Sequence, residues 1–204
     1  MRSGRIRKRA LPTERATARI CREAGAVVKT NVLLRDLNVG VSVSDERRLE
    51  VLAHGLPLKG GSQLAIDVTL RSVLSAAGIP KPRCAVHDGI VAESARQDKE
   101  RKYPELLTAK RCELVVLALE TGGRWSQESM QFVFDLATAK AQTVQQPLRS
   151  STTFAFVRRW TRILSVAAAT SFARSLILPT SDGSAHAPDG YEPPLCSVVA
   201  DACR

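Results

Sequence analysis

The run from Gln63 to Leu70 is largely apolar on both of its alternating sides and carries a single charge, Asp67. A strand with two apolar faces belongs in the middle of a sheet, covered above and below. A carboxylate on such a strand needs a partner charge or several hydrogen bonds. About thirty residues further on, Lys99-Glu100-Arg101-Lys102-Tyr103 supplies candidates. Spacing i, i+3 sets Lys99 and Lys102 on one helical face, with Tyr103 beside them at i+4 from Lys99. A carboxylate at the end of an apolar strand, next to a lysine, is the minimum set for holding a divalent metal against a phosphodiester.

The remaining pattern places that pair in a fold. Pro12-Thr13-Glu14 opens a helix that Gly25 ends. Val27–Leu34 and Arg47–Ala53 read as strands, and Gly55, Pro57, Gly60 and Gly61 make the connection to Gln63–Leu70 turn-rich. Ile90 to Tyr103 is a charged helix stopping before Pro104, and Glu105 to Ala109 is a short helical piece. Cys112–Glu120 is the most strand-like run in the chain, and Gly122-Gly123 turns it. Ser126 then caps a helix through Lys140, with Glu128 near its positive end, and a longer helix runs from about Thr152 to Leu178. Three strands with short links imply an antiparallel meander, and the helix before the fourth strand permits a parallel crossover. The expected class is α/β: a mixed four-stranded sheet flanked by helices, with a long C-terminal helix. The expected organisation is a basic disordered start over 1–10, a core over 11–145, a helical extension over 146–178 and a disordered tail over 179–204.

The chain carries 30 Lys and Arg against 20 Asp and Glu, a net charge of +10 in 204 residues. That balance points to a polyanionic partner: DNA first, RNA second. Arg5, Arg7, Lys8 and Arg9, together with Arg124 after the Gly-Gly turn, are the candidate phosphate contacts. The five cysteines form no C-x-x-C pair, which leaves a zinc knuckle without support, and their odd number without a secretory signal reads as reduced, intracellular thiols. Ile163–Leu178 is too short and too polar to span a bilayer. The run Arg5-Ile6-Arg7-Lys8-Arg9 suits a nuclear signal, and equally the Arg-rich start of a mitochondrial presequence. A nuclear location is the expectation, and the sequence sets no oligomeric state.

With acids at strand ends of such a sheet, the layout is that of restriction-endonuclease-like nucleases. Asp67-Val68-Thr69 followed by Lys99, Lys102 and Tyr103 resembles the C-terminal restriction-like endonuclease domain of site-specific non-LTR retrotransposons. The likeness extends to Cys21-Arg-Glu-Ala-Gly25, Thr30-Asn-Val-Leu-Leu-Arg35, Arg111-Cys-Glu-Leu-Val-Val116 and Glu120-Thr-Gly-Gly-Arg-Trp-Ser126. It covers roughly residues 10 to 178 and is closest to the endonuclease-like tails of reverse-transcriptase-derived reading frames of protists. The resemblance implies a first acid in an Arg/Lys-Pro-Asp motif; the segment here is Arg48-Leu49-Glu50, with Leu for Pro and Glu for Asp. It implies Asp67 as the second acid, Lys99 and Lys102 as the lysine that has migrated onto the helix, and Tyr103 as its tyrosine. Glu14 or Glu23 is then the accessory acid.

Glu50 and Asp67 would thus hold Mg2+ or Mn2+, with Lys99, Lys102 and Tyr103 completing the catalytic set at one edge of the sheet. The other reading is a catalytically inactive nucleic-acid-binding or structural remnant of the same fold. In that reading Asp67 is a salt-bridged structural acid, the lysines are a solvated helix face, and Glu50 is the polar side of an edge strand. Trp125 is a core or hinge aromatic, and His54 and His87 are loop residues without ligand partners.

Overall fold

Gly25, at φ 110, ends the first helix, α1 (Ser3–Ala24), and turns the chain into strand β1 (Val27–Leu33). The turn is closed by Gly25 N–H to Arg22 O and Ala26 N–H to Cys21 O, both 3.0 Å, the pattern of a left-handed helix cap. In this computed structural model the described backbone covers residues 3–75 and 78–177, with side chains described over 11–75 and 78–174. The tail over 179–204 and the side chains of Arg5, Arg7, Lys8 and Arg9 lie outside that range.

Helix α1 starts at Ser3, nine residues ahead of Pro12, so the backbone of 3–10 is helical rather than a disordered start. Arginine, lysine and alanine between Arg5 and Ala10 are good helix formers. Pro12 lies inside the helix and withholds a single backbone donor.

Strands β2 (Arg48–His54), β3 (Gln63–Arg71) and β4 (Cys112–Glu120) complete a sheet of order β1-β2-β3-β4. The first two pairings are antiparallel, and β3 runs parallel to β4 over the whole span Gln63–Arg71 against Cys112–Glu120. Helix α2 (Ile90–Lys102) carries the parallel crossover, which two parallel neighbours require. Helix α3 (Pro104–Thr108), α4 (Gln127–Ala141) and α5 (Arg149–Ile177) follow. Ser126 caps α4 by accepting from Ser129 N–H at 3.0 Å. This is a mixed four-stranded sheet flanked by helices with a long C-terminal helix, as the pattern implies.

Each face of the sheet has its own core. On one face Ile20 of α1, Phe132 and Leu136 of α4 and Trp160 and Leu164 of α5 cover Val51, Ile66 and Leu117. On the other, Ala92 and Ala95 of α2, Tyr103, and Leu106 of α3 cover Leu49, Ala65 and Val116. The segment 146–178, set apart as an extension by its sequence, therefore supplies fully buried side chains to the common core. Strand β4 is an edge strand whose outer N–H and C=O groups need covering. The turn into α4 provides it: Glu128 accepts from Val116 N–H at 3.2 Å, and Ser126 N–H donates to Ala118 O at 3.0 Å. Among the described residues no helix is long and apolar enough to cross a membrane.

Candidate functional site

Asp67 is the fifth of nine residues in β3, so it stands mid-strand and not at a strand end. The strand runs on to Arg71 because β4 pairs with it throughout. On its other side β2 lets go: the β2–β3 register stops at the pair Val51 and Ile66. Asp67 thus occupies the first position at which β3 has lost one neighbour. The site lies in the sheet interior, between its two central strands, and not at a sheet edge.

A slip in side-chain alternation explains the opening. In a regular strand, residues 49, 51 and 53 would share a face. Here Val51 and Ala53 join the first core, whereas Leu49 joins the second. The neighbouring strand slips at the same level, since Val28 packs on the first core and Val32 on the second. The β1–β2 register skips from Thr30–Val51 to Val32–Leu49, leaving Asn31 and Glu50 out of the pairing, and Asn31 absorbs the turn with φ 56; Asn is among the non-glycine residues that best tolerate this left-handed conformation. Glu50 is therefore aimed along the sheet towards β3, where its Oε2 accepts from Val68 N–H at 2.6 Å. Its strand is a central one, which rules out the reading of Glu50 as the polar side of an edge.

The opposite wall comes from α2. Ala92, Ala95, Lys99 and Lys102 follow helical spacing, so the lysines prolong the buried face that the two alanines begin. Asp67 is 1% exposed, and the Lys99 ammonium rests on its Oδ1. The Lys102 ammonium stands 4.0 Å from Oδ2 with 46% of its side chain exposed, so it faces the mouth of the site. Tyr103 is completely buried and its hydroxyl donates to Arg48 O at 2.8 Å. With the phenol proton committed there, Asp67 is held by ammonium groups, and neither of its oxygens receives a well-aligned hydrogen bond. Burial, then the Asp67 charge, push the Tyr103 phenol far above its ordinary range.

Arg47, which sequence reasoning passed over, fastens this corner from outside. Its guanidinium donates to Lys102 O and pairs with Asp45 at 2.6 Å and with Glu105 at 2.7 Å. Arg47 and Tyr103 together staple the α2–α3 corner to the start of β2, and that fixes Lys99 and Lys102 over Asp67.

Of the two candidate accessory acids, the structure separates the roles. Glu23 binds Arg19, Arg159 and the Trp160 indole N–H, which holds its carboxyl down at about 2. Glu14, nine residues nearer the helix start, acts on Glu50. The Glu50 carboxyl is pushed up to about 8, first by burial, then by Asp67 and then by Glu14. Its Val68 hydrogen bond and Lys99 pull the other way, and burial wins. Three acids thus crowd a site that lysine only partly neutralises.

A divalent cation is the simplest complement to that crowding. The donors are carboxylate oxygens, which suit Mg2+ or Mn2+ rather than zinc. No group of three or more His, Cys, Asp or Glu forms a ready-made metal cage among the described residues. Magnesium needs only one or two protein carboxylates, with water and phosphate completing its shell. Glu50 and Asp67 fit that requirement.

Arg124 does not join them. It lies on the turn after β4, paired with Asp88 at 2.6 Å and 3.9 Å from Glu120, and lines a separate cavity of about 400 Å3 with Arg96 and Trp125. His54 closes β2 rather than lying in a loop, and His87 in its loop is 2.8 Å from the Arg83 guanidinium. No model of a known protein family matches the sequence, and no curated protein matches it.

Proposed function

We propose that the chain is a metal-dependent DNA endonuclease-like domain of the restriction-like type, derived from a non-LTR retroelement, that nicks or cleaves phosphodiester bonds. The observation that carries this reading is the meeting of Glu50 and Asp67 where the central ladder opens, with Lys99 on one and Val68 N–H on the other. The sheet order, with only β2 opposed to the other three strands, supports it as the layout the resemblance calls for.

A divalent cation, when bound, supplies Lewis acidity at the scissile phosphate and lowers the pKa of a bound water. The chain supplies the rest. Glu50, as the carboxylate, and Asp67 would hold the cation. Lys99 beside Asp67 and Lys102 at the mouth are placed to stabilise charge building on the phosphate oxygens. Tyr103 and Arg47 keep the two lysines in place. A DNA substrate and the basic run of residues 5 to 9 go with a nuclear site of action.

A second reading has its own observation. Asp67 already carries an ammonium partner and is shut from solvent, as a purely structural ion pair would be. In that reading the fold is an inactive remnant. Plasmid nicking with Mg2+ and with EDTA separates the two. The nuclease reading expects Mg2+-dependent nicking by the wild type and none by Asp67→Asn. Equal background from both proteins would leave the remnant.

A further inference from the structure

The net charge of +10 is concentrated in the sequences of two helices. Helices α1 and α5 hold twelve of the 30 basic residues and two of the 20 acids, leaving 18 of each for everything else. Those two helices therefore carry the whole excess, and α5 contains no acid in its 29 residues. Glu23, one of the two acids of α1, is shared by Arg19 and Arg159 and so offsets a single charge of that pair.

The helices lie side by side and antiparallel. Thr13 Oγ1 and Ser171 Oγ are 2.8 Å apart at one end, and Trp160 N–H donates to Glu23 at 2.9 Å at the other. Arg15, Arg19 and Arg22 of α1 and Arg158, Arg159 and Arg162 of α5 are exposed. Among the described residues Arg22, Arg158 and Arg162 make no ion pair. An open groove of about 500 Å3 runs between the helices, floored by Ala16, Ile163 and Ala167 and rimmed by Arg15, Arg19 and Arg162.

We propose that this α1–α5 layer is a docking face for the phosphate backbone of a duplex nucleic acid, separate from the acid site between β2 and β3. Pairs at i, i+4 set arginines roughly 6 Å apart along each helix, and packed helices set the two rows about 8–10 Å apart. Guanidinium forks suit phosphate oxygens. The described side chains of this face that suit DNA are arginines, which match phosphate oxygens, so binding is to the backbone and independent of sequence. An anionic membrane is the other polyanion, but an interfacial helix needs a continuous bulky apolar face. Trp160 and Leu164 point into the core, and exposed Phe154, Val166 and Phe172 are scattered over about 27 Å of the helix.

The test is fluorescence anisotropy of a short labelled DNA duplex with the full chain, in EDTA, from roughly 50 to 200 mM salt. EDTA makes the result independent of cleavage. Arg158→Gln/Arg162→Gln should lower the slope of log affinity against log salt by about 1.8 and weaken binding tenfold or more at the lower salt. The charge-matched control Lys110→Gln/Arg111→Gln, in the link between α3 and β4 beside Glu105, should leave both unchanged. An unchanged slope in the arginine pair, or an equal loss in the control, overturns the proposal. So does binding to phosphatidylserine vesicles without binding to the duplex.

Discussion

Replacing Glu50 with Gln should free the fold from a penalty that grows with pH. The Glu50 carboxyl sits at about 8 in the folded chain against an ordinary 4.5. Below about 4.5 folded and unfolded chains both hold the proton. Between there and about 8 the unfolded chain has lost a proton that the folded chain keeps, so stability falls as pH rises; above about 8 the loss is complete. At about 1.4 kcal/mol per tenfold change in proton affinity, the ceiling is about 5 kcal/mol. Relaxation and water entry at a site with an open mouth reduce it, and about 2–3 kcal/mol is expected. Gln keeps the size of Glu and can still accept from Val68 N–H. The stability difference between Glu50→Gln and wild type should therefore be near zero at pH 5 and favour the variant at pH 9. Urea unfolding of both proteins at pH 5, 7 and 9 measures it. Other titrations, such as the buried Cys112 at about 11 and Cys21 at about 12, cancel in the difference. A difference that stays flat across the series would refute the crowding of Glu50 by burial and by its acidic neighbours.

Three further outcomes follow from the same geometry. Lys99→Met leaves Asp67 with only the more distant, half-exposed Lys102 ammonium and should cost about 3 kcal/mol, while Asp67→Asn/Lys99→Met recovers most of it; simple additivity in urea melts would show that the two do not pair. Tyr103→Phe leaves the Arg48 carbonyl without its donor and should cost about 1–2 kcal/mol, a value that chemical denaturation reads directly and that no change in midpoint would contradict. Asn31→Gly should be close to neutral and Asn31→Val should cost about 1–3 kcal/mol, because a β-branched residue resists the left-handed conformation; matching thermal midpoints for the two variants would contradict the turn at Asn31.

How far the residues announce this arrangement varies along the chain. Cys112–Glu120, Ser126 and the helix from Ile90 were legible because period, cap and Pro104 all act locally. Lys99 and Lys102 could be set on one face with Tyr103 beside them by helical spacing alone. The opening between β2 and β3 could not, since it arises from matched slips at Asn31 and Glu50 on different strands. Asn31 carries a faint signal, being a residue that accepts positive φ, but only its dropping out of the pairing together with Glu50 gives that meaning. Arg47 gave none: its partners Glu105 and Lys102 lie more than fifty residues away. Pro12 reads as a helix start because a proline usually marks a first turn, whereas the basic residues before it extend α1 back to Ser3.

Everything proposed for the site depends on Glu50 and Asp67 sharing one divalent cation. Calorimetric titration of the full chain with Mn2+ at pH 7, repeated in buffers of different ionisation enthalpy, reads both the ion and the proton it displaces. One ion should bind per chain with close to one proton released, because Glu50 enters the titration protonated. Asp67→Asn should abolish the binding, and Glu50→Gln should remove the proton release. Absence of binding by the wild type, or identical titrations of wild type and Asp67→Asn, would contradict a metal site between β2 and β3.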